Sequence, residues 1–123
     1  MERGPAMVES LLAGKVVEIV EEPTLADALA GGIGPPNLYT FSMIQKYVDG
    51  TVLVSEEEIA GAMAFAIHEH HLVVEGGGAV GLAALLYKKV ERLGQHIAIV
   101  ISGGNVELPV LLNIAQNYHA TWK

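Results

Sequence analysis

The stretch His96-Ile97-Ala98-Ile99-Val100-Ile101 constrains this chain more than any other. From Ile97 it is apolar at every position and mostly β-branched, and it stops abruptly at Ser102-Gly103-Gly104-Asn105. A strand with one solvated face alternates apolar and polar residues. A run without that alternation asks for burial on both faces, as in a parallel sheet covered by helices. Lys15 to Val20 (KVVEIV) and Thr51 to Val54 (TVLV) read as two further strands.

Helix signals fall between these runs. Pro5 suits a first helical turn and Gly14 a stop, which predicts a helix over Pro5 to Ala13. Thr24 can cap the segment LADALAGGI, and the glycines at 31, 32 and 34 with Pro35-Pro36 end regular structure. Asn37 can cap a helix through Tyr39, Phe41, Ile44 and Tyr47. Ser55 with Glu58 forms a capping box for a helix running to about Val73. Further helices are expected over Ala79 to Leu93, ended by Gly94, and over Val106 to Tyr118. Strands alternating with helices indicate an α/β fold, here a partial three-layer parallel sheet covered by helices. Three strands are few for such a sheet, so the expectation is one domain over residues 1–123 that is a piece of a larger layered domain.

Composition narrows the function. Hydrophobic residues make up 51% of the 123 positions and charged residues 17%, which supports a packed core rather than disorder. Seven Lys and Arg against 14 Asp and Glu give a net charge of −7, and no basic cluster offers a surface to nucleic acid or an anionic membrane. Cysteine is absent, which removes disulfides, thiolate metal sites and cysteine nucleophiles. No apolar run reaches the roughly 20 residues of a membrane span, and the start MERGPAMVES has no apolar signal core, so the expected compartment is the cytoplasm.

Several constellations carry chemistry and a plainer alternative together. Gly76, Gly78 and Gly81 spell G-x-G-x-x-G, which can cradle a pyrophosphate at a helix N-terminus or simply pack a helix tightly. The acidic residue expected about 20 positions later has no good counterpart, which favours packing. His68-Glu69-His70-His71 puts His68 and His71 on one helix face but lacks H-E-x-x-H spacing, so a solvated helix end is the stronger reading. His96 and His119 are isolated. Ser102 sets a hydroxyl at the carboxyl end of a strand, where α/β sheets bind ligands, and Gly103-Gly104 let the chain pass close to something flat; a plain turn capped by Asn105 fits equally. Glu75, between an apolar run and a glycine run, needs a partner or a role if buried, and Asp27 is an ordinary helix acid unless the glycine loop after it lines a site.

Taken in order, TLADALAGGIG, NLYTF, VSEEEI, VEGGGAVGLAALL and VISGGNVE resemble the C-terminal part of pyridoxal-phosphate-dependent serine/threonine dehydratases, the tryptophan-synthase-β-like group of fold type II. The resemblance runs from about Glu2 to Val110, and GGIGPPNLYTF is similar to the dehydratase branch associated with ectoine utilisation. It implies that Ser102 is the serine whose hydroxyl meets the pyridine nitrogen of the cofactor, with Gly103 beside it. It implies that Glu75 is the acidic residue of the E-x-x-G turn near the ring, and that Ala28 and Gly31 are small positions beside the cofactor. Some members bind a divalent cation just before the first helix; here that stretch is MERGPAM, with Ala6 at the usual Asp, so no metal is assigned.

The family's catalytic lysine lies in an S-x-K-x-R segment, and its phosphate is held by a glycine loop. Neither occurs here, and none of Lys15, Lys46, Lys88, Lys89 and Lys123 sits in a matching context, so no catalytic residue is assigned. Two expectations from different classes follow. The first is a C-terminal portion of a dehydratase (ammonia-lyase) of hydroxy amino acids, inactive alone and completed by an N-terminal half. The second is a free-standing, non-catalytic α/β oligomerisation module. The double-faced strand His96–Ile101 with too few partners predicts a homo-oligomer in either case.

Overall fold

The computed structural model of the chain describes residues 1–34 and 36–118. Pro35, His119 and Lys123, which figure in the sequence reading, lie outside the described residues. Five α-helices follow in order: α1 (Ala6–Ala13), α2 (Thr40–Tyr47), α3 (Glu56–His70), α4 (Gly76–Leu86) and α5 (Leu108–Asn117). One 3₁₀ turn, Asp27–Leu29, precedes α2. None of these helices is long and apolar enough to cross a membrane.

Local chemistry accounts for most helix ends. Pro5 is the N-cap of α1, and Gly14 closes it in the left-handed conformation at φ 69°, its N–H returning to the Leu11 carbonyl. The Asn37 carboxamide accepts the Phe41 N–H at 2.7 Å and so satisfies the first turn of α2. At α3 the Ser55 hydroxyl accepts the Glu58 N–H while the Glu58 carboxylate accepts the Ser55 N–H at 2.8 Å, a complete capping box. That helix ends at His70 rather than Val73, because His71 turns left-handed (φ 56°) and Leu72 N–H reaches back to Ala66 O.

α5 is shorter than the expected Val106 to Tyr118, and two departures are larger. α4 begins at Gly76, inside what reads as a glycine loop, and ends at Leu86 instead of Leu93. Lys88 takes a left-handed φ of 54° just after it, and the Lys89 ammonium meets the Glu58 carboxylate at 2.7 Å. The expected helix after Thr24 contracts to the single turn Asp27–Leu29, with the Thr24 hydroxyl accepting the Ala26 N–H at 3.1 Å.

The largest correction concerns the sheet. Among the described residues there is no β-strand: Lys15–Val20, Thr51–Val54 and His96–Ile101 run outside any ladder. A strand is defined by a neighbour that pairs its N–H and C=O groups, and β-branched composition cannot supply that neighbour. Without ladders much of this apolar surface is uncovered, Val20 being 85% exposed and Val100 83%, although Val54 is buried against the helices.

The core is helical instead. α3 is its hub, packing on α4 and α5, with α4 also touching the 3₁₀ turn. Ile59, Met63 and Ala66 of α3 are buried against Ala79 and Ala83 of α4, Leu111 and Ile114 of α5, and Val54 and Val74. Alanines and Gly61 let the α3–α4 backbones approach closely, and the Tyr87 side chain lies directly over Gly61.

Candidate functional site

The site is built where α4 starts. Glu75 is extended (φ −73°, ψ 162°) and serves as the N-cap of α4, so its carboxylate lies at the positive end of the helix dipole. Its N–H donates to the Gly103 carbonyl at 3.1 Å, and its carboxylate accepts the Asn105 N–H at 2.9 Å. The Ser102–Asn105 turn is therefore held against the first turn of α4 by bonds that bridge about thirty residues of sequence.

Glycine is required at several points of this junction by close approach. A Cβ at Gly76 would overlap the Leu25 carbonyl, and one at Gly78 would lie 3.0 Å from Gly103 O. A Cβ at Gly103 would meet the Glu75 carboxylate at 2.7–2.9 Å, and one at Gly104 would lie 2.7 Å from Val73 O. Gly81, the last glycine of G-x-G-x-x-G, sits inside α4 against Ile99. These glycines pack chain on chain, which settles the choice against a pyrophosphate cradle.

Behind the junction, Leu25 is tethered by Glu56. The Glu56 carboxylate accepts the Thr24 hydroxyl at 2.6 Å and the Leu25 N–H at 2.7 Å, so α3 fixes the approach to the 3₁₀ turn. A cavity of about 320 Å³ lies between these parts, lined by Thr24, Asp27, Met63, Glu75, Asn105 and Glu107 among others. Among the described residues no Lys or Arg lines it, whereas Asp27, Glu75 and Glu107 do, so this lining repels an anion.

The structure brings Glu75, Gly103 and Ala28 together: Ala28 touches the α4 N-terminus, a Cβ at Gly77 falling 3.3 Å from Ala28 Cβ. Ser102 is exposed at the rim, one residue from the bonded Gly103. Gly31 is elsewhere. It adopts φ +106° and lines a separate apolar cavity with Pro5, Val8, Ile33 and Val52. Of the histidines, His68 Nε2 lies 2.7 Å from Ala115 O and His70 packs edge-on to Phe65. Among the described residues no three His, Cys, Asp or Glu side chains converge as a metal would need. Glu56 is the residue that sequence reasoning passed over. Its place in the first turn of a capping box hides a second role that only contact with residues 24–25 reveals.

Residues 1–103 match the family described as pyridoxal-phosphate dependent enzyme, and the chain belongs to it. Over 110 residues it is 44% identical to an L-threonine ammonia-lyase of Thermotoga maritima, a match covering 89% of this chain and 27% of that protein. Among solved structures it superposes on maize serine racemase with a TM-score of 0.79 at 30% identity, covering 91% of this chain and 35% of that one. A threonine deaminase from T.th. gives 0.75 at 34% identity, covering 86% and 38%. The chain thus spans about a third of the length of the relatives it matches. Pyridoxal phosphate is the cofactor of this family, and these neighbours support the α/β class.

The residues present fit one edge of that cofactor and not the other. The neutral hydroxyl of Ser102 donates or accepts a hydrogen bond, which suits a pyridine nitrogen, and it is exposed beside a turn without side chains at 103 and 104. The phosphate does not fit the cavity behind, where, among the described residues, the carboxylates Asp27, Glu75 and Glu107 have no cation beside them.

Proposed function

We propose that this chain forms the distal wall of a pyridoxal-phosphate site that removes water from a hydroxy amino acid of the serine/threonine class, yielding a 2-oxo acid and ammonia. The observation that carries the reading is the junction of Glu75–Gly76 with Gly103–Asn105. It leaves the Ser102 hydroxyl exposed at a fixed edge, in a chain 44% identical to an L-threonine ammonia-lyase. The cofactor, when bound, withdraws electrons from the substrate α-carbon and makes its proton removable. Ser102 and Gly103 would meet the ring edge with Glu75 beside them, and Ala28 is the small position that leaves room, whereas Gly31 lines a different cavity. A hydroxyl at the ring nitrogen carries no charge, so the ring keeps a moderate electron demand, which suits elimination. The lysine that links to the cofactor and the glycine loop for its phosphate come from a complementing N-terminal portion, since no S-x-K-x-R segment occurs in these residues.

Completion of the site and completion of the fold are one event in this reading. The 15–20, 51–54 and 96–101 segments become strands of a three-layer parallel sheet when that portion supplies their neighbours, and residues 1–123 then act as one unit. The compartment is the cytoplasm, and the similarity of GGIGPPNLYTF to the ectoine-utilisation branch belongs to the same proposal.

The test mixes the chain with one equivalent of pyridoxal phosphate, reduces with borohydride and measures intact mass. A smear over several lysines, or no adduct, is expected, together with no 2-oxo acid released from L-threonine or L-serine. One adduct at a single lysine, or turnover, overturns the division of labour. A second reading, a non-catalytic oligomerisation module, is favoured by the exposure of Val20 and Val100. Under it, light scattering finds a homo-oligomer of the 13.0 kDa chain whose mass ignores the cofactor.

A further inference from the structure

We propose that Glu75 is the positioning residue for Ser102, acting as a clamp on the turn that carries it. The inference rests on the reading of Ser102 as the residue that meets the cofactor ring, and it adds the means by which an exposed hydroxyl is held still.

Ser102 is followed by two glycines, the most permissive backbone a chain can have, on an exposed segment outside any strand ladder. Left to itself this stretch samples many conformations, and a hydroxyl at its head has no defined direction. Besides the Val106 N–H on the Gly104 carbonyl at 3.0 Å within the turn, three contacts oppose that freedom, and two belong to Glu75. Its N–H holds the Gly103 carbonyl at 3.1 Å, and its carboxylate holds the Asn105 N–H at 2.9 Å, so the turn is gripped on both sides of Gly104. The third is the approach of Gly104 to the Val73 carbonyl, close enough that a Cβ there would lie at 2.7 Å.

The carboxylate also fills the space that a side chain at position 103 would occupy, which ties the need for glycine there to the acid at 75. α4 anchors the clamp from behind, because Gly76 is pressed on Leu25 and Gly78 on Gly103. A side-chain carbonyl at the same reach keeps part of the grip, and a shorter acid does not.

Backbone amide signals of the full chain test this. In Glu75→Ala and Glu75→Asp the Asn105 amide exchanges with solvent faster by about tenfold or more, the range set by one hydrogen bond to a charged group. Glu75→Gln, which keeps a carbonyl at full reach but loses the charge, exchanges faster by no more than about fivefold. Should Glu75→Ala not fold, Glu75→Asp keeps the charge and still decides the matter. Added pyridoxine, the cofactor's ring without the phosphate that the acidic lining opposes, is expected at millimolar concentration to move the Ser102 and Gly103 signals in wild type and Glu75→Gln, and to leave them unmoved in Glu75→Asp. Equal Asn105 exchange in wild type and Glu75→Asp overturns the clamp. Signals of Ser102 that ignore the ring in wild type overturn the reading on which the proposal rests. The exchange measurement, made without cofactor, tells the two failures apart.

Discussion

Gly76 and Gly77 are neighbours in the first turn of α4, and neither has a positive φ, so alanine is conformationally acceptable at both. Helix propensity alone therefore favours Ala at each, by up to about 0.5–1 kcal/mol. What the added methyl meets is different. At Gly77 it would lie 3.3 Å from Ala28 Cβ and 3.4 Å from Leu29 Cγ, tight contacts with side chains of an exposed turn that can yield by a few tenths of an ångström. Gly77→Ala is expected to be neutral within about 0.5 kcal/mol, propensity offsetting mild crowding. At Gly76 the methyl would overlap the Leu25 carbonyl and lie 2.8 Å from Ala26 N. That backbone cannot step aside freely, because the Glu56 carboxylate holds Leu25 N–H at 2.7 Å. Overpacking of about 1–3 kcal/mol and about 1 kcal/mol for the strained Glu56 bond, less up to about 1 kcal/mol of helix propensity, predict a loss of about 1–3.5 kcal/mol for Gly76→Ala. Urea unfolding followed by circular dichroism measures both variants. The thermal midpoint is expected to fall by about 4 °C for each kcal/mol. A Gly76→Ala variant within about 0.5 kcal/mol of wild type, or one more stable than Gly77→Ala, refutes the close-packed junction.

Two further outcomes follow from named contacts. Glu56→Ala removes both acceptors of the Thr24 hydroxyl and Leu25 N–H, and is expected to cost about 2 kcal/mol or more in urea unfolding; an unchanged midpoint would show that the tether carries nothing. The Glu58 carboxylate hydrogen-bonds the Lys89 ammonium and holds its pKa above the ordinary lysine value of 10.5, so the pair's contribution is complete below that value and is lost as pH rises through the higher folded-state value. Thermal midpoints of wild type and Lys89→Met are therefore expected to differ by a small constant amount up to that pH and to converge above it; a difference that grows at high pH contradicts the assignment.

Capping chemistry was legible in the sequence because each cap joins groups a few residues apart. Ser55 with Glu58 and Gly14 after α1 behave as their spacing dictates, whereas Asn37 reaches Phe41 from two positions before the N-cap Tyr39, and α2 starts only at Thr40. The family was legible for a related reason, since five ordered motifs were present in the residues themselves and residues 1–103 match it. Of the cofactor positions read from those motifs, Glu75, Gly103 and Ala28 are brought to one junction, Ser102 stands at its rim, and Gly31 lines a different cavity.

Tertiary structure decided the rest. Three glycines that spell a phosphate loop start a helix instead, because the Leu25 carbonyl and the Gly103 backbone stand where side chains would be. Glu56 and Glu75 reach partners about thirty positions away, a distance at which no spacing rule operates. The apolar run at 96–101 has the composition of a buried strand yet joins no ladder among the described residues. Composition determines what a segment can become, but pairing is a property of two segments, and the neighbour must be present for the strand to exist.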